Sequence, residues 1–271
     1  MTLRTTLVAL GALGMIVTSG MAARPLVENF QRSDRADGPA VLFDNTHAQT
    51  AGNADWTIVG AYSDFADALR HHGFKVTSND HGELDAAKLA GIKVLVVPEP
   101  NTKFTQNEKA AITDFVKNGG GLFAIADHWG SDRNGDGIDS PRAWNEFTPT
   151  FGITFNQDKH NEDPLPGVVA GGAVTQGVTK LGCWAGCSMT LTGAAKAELK
   201  FNSANGGQAF VATSTFGQGR VVAIGDSSPF DDGTGDPHDH LYNGFSKYDI
   251  PQFSLNCVNW LAGKSFEAVD H

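Results

Sequence analysis

The sequence predicts an α/β protein with a doubly wound, mostly parallel sheet and an irregular second half. In the first half, short apolar runs alternate with segments of helical periodicity, which is the pattern of strands joined by crossover helices. These runs are continuously apolar, as expected for strands covered on both faces. The 32 glycines suit the tight turns that such a chain needs.

The first elements follow in order from these patterns. Ala40–Phe43 is a predicted buried strand, and Trp56–His72 is a predicted helix that stops at Gly73. The next three predicted elements are a strand, a short helix and a strand: Phe74–Thr77, Leu84–Leu89 and Lys93–Val97.

A capping box begins the next helix, because Thr105 and Glu108 stand at its N-cap and N3 positions. We expect this helix to run through Val116 and to stop at three consecutive glycines. The fourth predicted strand, Leu122–Ala126, follows them directly.

The second half shows weaker patterns. A proline at its first position favours a short helix over Pro141–Phe147. The glycines of Phe216–Gly219 indicate a hairpin turn, and residues 156–187 fit no element. The remaining predicted elements are four strands and a terminal helix: Phe151–Phe155, Ala197–Phe201, Ala209–Thr215, Arg220–Ile224 and Gln252–Leu261.

The N-terminus resembles a secretory signal peptide. A basic start, the apolar run Leu7–Val17 and small residues before Ala22 predict cleavage after Ala22 and a periplasmic or extracellular location. The alternative is an uncleaved anchor, although the run is short for spanning a bilayer. We divide the chain into signal peptide 1–22, arm 23–39, single domain 40–262 and tail 263–271. No other segment is apolar for long enough to cross a membrane.

Charge and cysteine content limit the possible partners. The formal charge is −10, whereas nucleic-acid binding usually requires a basic surface. A small molecule or a polymer is therefore the expected ligand. The oligomeric state is open. In an exported protein, Cys183 and Cys187 favour a local disulfide, with half of a zinc site as the alternative. Cys257 lies in an apolar helical pattern and is an expected buried thiol.

Asp and His residues follow three of the predicted strands. In open α/β sheets the carboxyl ends of the strands form the ligand site, so these residues are expected to meet there. Alternatively, these side chains have only a structural role and accept hydrogen bonds from backbone amides of the loops. The candidate catalytic residues are Asp44, His47, Asp127, His128 and Asp226.

The segment Asp132–Gly137 matches the front of a calcium loop, D-x-N-x-D-G. The bidentate glutamate expected at position 12 is missing, since Ala143 stands there. A turn rich in Asx residues that needs no ion is the alternative. The candidate calcium ligands are the side chains of Asp132, Asn134 and Asp136 and the carbonyl of Ile138.

A second acidic loop has a different metal preference. His238 and His240 share one face if the chain is extended, and with Asp236 they are candidate ligands of a transition metal such as zinc or manganese. A solvated acidic loop is the alternative.

Two segments resemble a known superfamily. Phe115–Leu122 and Phe216–Asp226 are similar to the helix-to-strand turn and the late hairpin of the class I glutamine amidotransferase-like superfamily. The resemblance implies a flavodoxin-like layout in a branch without the catalytic cysteine, because the turn Ala126–Gly130 contains none. Cysteine-dependent amidotransfer is therefore excluded.

Two functions are compatible with these residues. The first is an exported, metal-supported hydrolase of an ester or phosphoester, in which the metal lowers the pKa of bound water and an Asp or His takes the proton. The second is a noncatalytic, calcium-stabilised binding module for a sugar or an envelope polymer. In that case Trp129 and Trp144, which flank the calcium-like loop, are candidates to stack on a sugar ring.

Overall fold

A computed structural model describes residues 38–47, 56–165, 167–168, 172–235 and 242–264. Within these ranges the chain forms a mixed α/β fold around one large sheet. The predicted signal peptide, nearly all of the arm and most of the tail lie outside the described residues. The α/β class is confirmed, and the large sheet is mixed, with a parallel part and an antiparallel part. The flavodoxin-like, doubly wound assignment stays a prediction.

The parallel part of the sheet contains five strands in the order β2-β1-β3-β4-β12. All four strand pairs in this series are parallel, so the carboxyl ends lie along one edge. The strands are β1 (Ala40–Asp44), β2 (Lys75–Asn79), β3 (Val94–Val97), β4 (Gly121–Ile125) and β12 (Gly219–Ile224).

The second half of the sheet is antiparallel. It continues from β12 through β11, β10 and β7, and β9 joins β5 to β11. These strands are β5 (Ile153–Phe155), β7 (Gly167–Val168), β9 (Met189–Leu191), β10 (Lys196–Lys200) and β11 (Ala209–Phe216).

The segment 156–187, which the sequence left unplaced, contains a small second sheet. β6 (His160–Leu165) pairs with β8 (Leu181–Gly186) in an antiparallel ladder that has two register irregularities. Strand propensity is weak where proline and charged residues interrupt the run, so pairing between distant segments decides this structure.

Five α-helices occur in the described residues. The capping box of the third is confirmed, since the Thr105 hydroxyl accepts from Glu108 N and the Glu108 carboxylate accepts from Thr105 N. Short 3-10 helices cover Thr148–Phe151, Ser203–Asn205 and Ser228–Phe230. The helices are α1 (Ser63–His71), α2 (Ala86–Leu89), α3 (Gln106–Lys117), α4 (Ser140–Asn145) and α5 (Ile250–Ala262).

The first helix is shorter than predicted. It begins at Ser63 rather than Trp56, because the amides of Gly60 and Tyr62 both bond the carbonyl of Thr57 in a turn. Trp56 and Tyr62 are nevertheless buried. Their helix-like spacing reflects burial in the core rather than a continuous helix.

Successive residues of the strands face two separate cores. Val41 and Phe43 of β1 pack into the core shared with α1 and α5. Leu42 packs into the other core, with side chains of α3 and α4. The sheet is therefore covered on both faces, which explains the continuously apolar runs.

No helix within the described ranges is long and apolar enough to cross a membrane. Cys183, Cys187 and Cys257 are buried free thiols in the structure. The disulfide between Cys183 and Cys187 is thus not formed here and stays a prediction for the exported protein.

Candidate functional site

Four carboxyl groups gather at the carboxyl edge of the parallel strands. Glu99, Asp127 and Asp226 each stand two residues after the end of a strand, namely β3, β4 and β12. Asp231 follows directly after the 3-10 helix Ser228–Phe230. All four residues are at most 3% exposed. We call Glu99, Asp127, Asp226 and Asp231 the strand-end cluster.

One arginine and one serine hold part of this cluster together. The Nε atom of Arg133 donates to Glu99 Oε1 at 2.9 Å, and its Nη2 donates to Asp127 Oδ2 at 2.8 Å. The Ser227 hydroxyl donates to Glu99 Oε2 at 2.7 Å and also lies 3.3 Å from Asp127 Oδ2. The two carboxylates are therefore bridged on one side by a cation and on the other by a hydroxyl.

Burial and mutual repulsion change how the cluster titrates. Burial, followed by the charge of Asp127, raises the pKa of Asp226 to about 7, although the backbone amides of Trp184 and Ser228 oppose the shift. Burial and the carboxylate of Asp127 also raise the pKa of Glu99, and Arg133 only partly offsets them. Burial together with Glu99 raises the pKa of Asp231. Burial and neighbouring negative charge thus raise the pKa of three of the four carboxyl groups, because both disfavour their ionisation as long as no further cation binds.

Asp44 and His47 lie in a different arrangement. His47 Nδ1 is 2.6 Å from Asp44 Oδ2, and its Nε2 is 3.5 Å from Glu108 Oε2. The imidazole stacks on Phe104 with 4.3 Å between ring centroids. Burial by itself lowers the pKa of His47, but the hydrogen bonds to Asp44 and Glu108 outweigh it and raise the pKa to about 9. The predicted pair thus meets Glu108 rather than the strand-end cluster.

His128 is half-buried beside the cluster. Its backbone amide donates to Asp127 Oδ1, and its Nδ1 lies 2.7 Å from the carbonyl oxygen of Trp129. A carbonyl only accepts hydrogen bonds, so Nδ1 carries the proton. The structure therefore brings Asp127, His128 and Asp226 to one edge of the sheet, as the strand-end argument predicted.

The calcium-like loop is wrapped around its own aspartate. Both oxygens of Asp132 accept backbone N–H groups, from Gly135 and Gly137 at 2.9 and 2.8 Å. Asp136 Oδ1 accepts from Ile138 N at 2.8 Å, and Asn134 Oδ1 accepts from Asp136 N at 3.1 Å. Asp132 Oδ1 also accepts from Asp136 N at 3.2 Å, so only the other three oxygens keep a second lone pair that could face a cation.

The ligand types and the backbone of this loop fit calcium, although the donor set is small. Asp132, Asn134, Asp136 and the Ile138 carbonyl supply fewer oxygens than the six to eight that calcium usually takes. Ala143, which stands in the place of the usual glutamate, is buried. Water would have to complete the coordination, so any calcium bound here is held weakly.

The second predicted metal site, Asp236, His238 and His240, lies outside the described residues. Within the described ranges, no three His, Cys, Asp or Glu side chains are placed to hold one metal ion.

The two predicted stacking residues are occupied by other contacts. Trp144 is fully buried and donates from Nε1 to the Ile125 carbonyl at 3.0 Å. The guanidinium of Arg142 covers Trp129 at 3.7 Å from the ring centroid.

A different aromatic group borders the strand-end cluster. The Trp184 amide donates to Asp226 Oδ2, and its Nε1 donates to Asp163 Oδ2 at 2.8 Å. The rings of Trp184 and Tyr242 lie 4.5 Å apart, and the hydroxyl of the exposed Tyr248 donates to Asp163 Oδ1. We call Trp184, Tyr242 and Tyr248 the aromatic rim.

Four of these residues escaped the sequence interpretation: Glu99, Arg133, Trp184 and Asp231. Glu99 was within reach of the strand-end rule, because it follows the apolar run of β3 by two residues. Asp231 begins the acidic run 231–240, which the sequence does mark as a cluster, but the predicted ligands are later residues of that run. Arg133 and Trp184 carried no local signal, since their roles depend on contacts between distant segments.

The fold and this site define the class: a mixed α/β domain with acidic side chains at the carboxyl edge of its sheet. The chain belongs to the family described as a domain of unknown function, DUF4350, whose model matches residues 59–242. That range is 184 of the 271 residues. No curated protein matches the chain.

Several solved structures share this fold. The mmIFT52 N-terminal domain is 18% identical, with a TM-score of 0.64, and the match covers 82% of this chain and 97% of that domain. The cytoplasmic protein STM1381 from Salmonella typhimurium LT2 is 13% identical, with a TM-score of 0.57 and coverage of 82% and 99%. A ThuA-like protein from Bacteroides uniformis ATCC 8492 is 16% identical, with a TM-score of 0.51 and coverage of 83% and 92%.

These comparisons correct the predicted resemblance. The chain is a DUF4350 protein with neighbours of the ThuA-like and IFT52 type, and its assignment to the class I glutamine amidotransferase-like superfamily is wrong. The two segments that carried the resemblance form the turn from α3 into β4 and the β11–β12 hairpin. Such a turn and such a hairpin occur in many α/β folds, so they do not specify a superfamily.

Proposed function

We propose that this chain is an exported, noncatalytic binding module for a sugar or an envelope polymer, built on a flavodoxin-like, doubly wound variant of the α/β fold. The position of Trp184 carries the proposal. Its backbone bonds Asp226 of the strand-end cluster, while its side chain pairs with Tyr242 and bonds Asp163. Aromatic faces and carboxylate oxygens therefore lie side by side at one edge of the sheet.

This combination suits a hydroxyl-rich ligand. Aromatic rings offer a flat apolar surface to the C–H face of a sugar, and ionised carboxylates accept hydrogen bonds from its hydroxyl groups. Trp184 and Tyr242 are partly exposed, with Lys247 Nζ at 4.9 and 3.9 Å from their ring centroids, and Asp163 is exposed. The acidic balance of the chain also favours an uncharged or cationic ligand over an anionic one.

The internal bonds of the predicted catalytic groups favour binding over catalysis. A general base must reach the proton that it removes, and a nucleophile needs such a base beside it. Both ring nitrogens of His47 face carboxylates, and the imidazole is 4% exposed. The hydroxyl of Ser227, which is not among the predicted residues, is likewise buried against Glu99. These contacts give the groups structural roles.

In the proposed module, calcium on the loop Asp132–Ile138 stabilises the site. The loop carries Arg133, whose guanidinium bridges Glu99 and Asp127. Asn134 Nδ2 also donates to the Asn101 carbonyl at 2.8 Å, which joins the loop to the segment after β3. Ordering this loop would therefore order the neighbouring edge of the strand-end cluster.

Binding of oligosaccharides to the purified mature chain tests the proposal. Isothermal titration calorimetry follows a screen on a glycan array, with Trp184→Ala as the variant and Trp129→Ala as the matched control. We expect at least tenfold weaker binding for Trp184→Ala and less than a twofold change for the control. The proposal fails if no glycan binds, or if both variants bind like the wild type.

A hydrolase is the second candidate, because one observation favours it. The pKa of Asp226 is raised to about 7 by burial and by the charge of Asp127, which suits a general acid or base near neutral pH. A cluster of carboxylates repels an anionic phosphoester, so an uncharged ester is the better substrate. Turnover of a model ester that disappears in Asp226→Asn, with the fold intact, would favour the hydrolase over the binding module.

A further inference from the structure

We propose that the strand-end cluster binds a primary ammonium group, as carried by an amino sugar or an alkyl amine. The ammonium site stands on the geometry of the cluster, whereas the choice of an amino sugar rests on the proposed function. The observation behind it is Asp231, which is 3% exposed and whose Oδ1 has no hydrogen-bond partner among the described residues. Buried polar atoms are almost always paired, so this oxygen points to a missing donor.

The charges of the cluster agree with a cationic donor. Among the described residues, the four carboxyl groups share a single guanidinium, that of Arg133, whose nitrogens bond Glu99 and Asp127. The two oxygens of Asp226 accept from the backbone amides of Trp184 and Ser228. Within the described part of the chain, Asp231 Oδ1 has no partner and no cationic side chain pairs with either carboxylate. Asp231 lies within electrostatic range of Glu99, Asp226 and Asp127. A second positive charge would therefore be attracted by the whole cluster.

The described side chains favour ammonium over a metal ion as the bound cation. A metal needs several oxygens to converge at about 2.0 to 2.6 Å, and no three acidic, His or Cys side chains of the described chain do so. An ammonium group directs three N–H donors to separate acceptors at about 2.8 Å from its nitrogen. It therefore accepts a wider and less regular set of oxygens.

The aromatic rim indicates which kind of molecule would carry the ammonium group. Trp184 contributes its backbone amide to Asp226 and its ring to the rim, so the rim and the cluster are adjacent. A sugar ring stacked on the rim would place a substituent beside the carboxylates. A positively charged amine is the substituent that they would select over a hydroxyl or an N-acetyl group.

Calorimetric titrations of the mature protein with glucosamine, N-acetylglucosamine and butylamine test the inference. We expect glucosamine to bind at least tenfold more tightly than N-acetylglucosamine, and butylamine to bind at the same site. Asp231→Asn should remove this preference for glucosamine, while Asp114→Asn on the exposed face of α3 should preserve it. Glu99→Gln is the second variant if Asp231→Asn does not fold.

The outcomes separate this inference from the proposed function. Equal binding of both sugars, or an unchanged preference in Asp231→Asn, overturns the ammonium site and leaves sugar binding in place. Binding of butylamine that depends on Asp231, without binding of either sugar, supports the ammonium site and overturns the sugar-binding function. Binding of none of the three compounds overturns both.

Discussion

His47 Nδ1 lies 2.6 Å from Asp44 Oδ2, and both side chains are buried where β1 ends. Glu108 approaches the same imidazole from the first turn of α3, with its Oε2 at 3.5 Å from Nε2. A protonated imidazole between two carboxylates thus ties the end of a strand to the start of a helix. The histidine that sequence patterns suggest for catalysis is a structural cation.

Replacing His47 should destabilise the protein strongly. His47→Gln leaves Asp44 and Glu108 without their buried cation, which costs about 3 kcal/mol of unfolding free energy. Urea unfolding at pH 6 measures this loss, and His71→Gln on an exposed residue is the control. A loss below about 1 kcal/mol would show that the pair is not a salt bridge.

The pH dependence of stability checks the same contact. Since the folded pKa of His47 is raised from 6.5 to about 9, its contribution is complete below pH 6.5 and disappears as the pH rises through 9. Wild-type stability should therefore fall between pH 6.5 and 9.5, and His47→Gln should lack that part of the slope. Parallel slopes for the two proteins would contradict the raised pKa.

Arg133 should be essential to stability although it lies on a surface loop. Arg133→Met removes the cation that Glu99 and Asp127 share, and leaving such carboxylates unpaired costs about 3–5 kcal/mol. Arg142→Met, in the following helix, is the comparison variant. It should cost less, because the buried Asp139 that it leaves keeps its hydrogen bonds from the backbone amides of Gly130 and Arg142.

A double substitution distinguishes lost charge from lost packing. Glu99→Gln with Asp127→Asn, introduced into Arg133→Met, removes the unpaired carboxylates and should restore more than half of the lost stability. Chemical unfolding of the three proteins measures the recovery. No recovery would mean that the aliphatic part of Arg133, rather than its charge, stabilises the loop.

The sequence was sufficient to find Asp127 and Asp226, because each follows an apolar run that marks a strand end. Hydrophobic runs are local signals, so they locate the strands and the edge where ligands bind. Glu99 also follows an apolar run, but the prolines on either side of it indicate only the end of a strand and not a site residue. Asp231 has no such marker, since its burial depends on contacts with residues far away in the chain.

Two residues in local motifs also make contacts that the motifs do not predict. The capping box correctly identified Glu108 at the start of α3, yet Glu108 also bonds the His47 imidazole, which lies 61 positions earlier in the chain (108 − 47). Arg133 stands inside a calcium-like motif at a position that the motif leaves unspecified. Its contacts with Glu99 and Asp127 require β3 and β4 to be neighbours, which no short motif encodes.

Asp226 should make the folded protein less stable as the pH rises. Its folded pKa is raised from 3.8 to about 7, so the favourable contribution of its protonated form disappears as the pH rises through 7. Asp226→Asn carries no titratable proton. The unfolding free energy of Asp226→Asn relative to the wild type should therefore rise by about 2–3 kcal/mol between pH 5 and pH 8, at about 1.4 kcal/mol per pKa unit. Unfolding of Asp226→Asn and of the exposed control Asp114→Asn at both pH values measures the gain, and a constant difference would contradict the raised pKa.

Calcium should stabilise the protein through the loop Asp132–Ile138. A weak extracellular-type site has a Kd of about 0.1–1 mM, so 10 mM calcium adds about 1.4–2.7 kcal/mol to the unfolding free energy of the chelator-treated protein. Asp136→Ala should abolish this gain, because it removes one of only four protein ligands. Asp67→Asn, on the exposed surface of α1, should retain it.

Magnesium provides the chemical control for the calcium titration. It demands near-octahedral geometry and loses its water reluctantly, so 10 mM magnesium should produce less than a third of the calcium effect. Thermal unfolding with each ion, together with elemental analysis of the dialysed protein, measures both the gain and the stoichiometry. If Asp136→Ala responds to calcium like the wild type, the ion binds elsewhere. The loop is then a turn held by its own Asx hydrogen bonds, which the contacts of Asp132 with Gly135 and Gly137 already sustain without an ion.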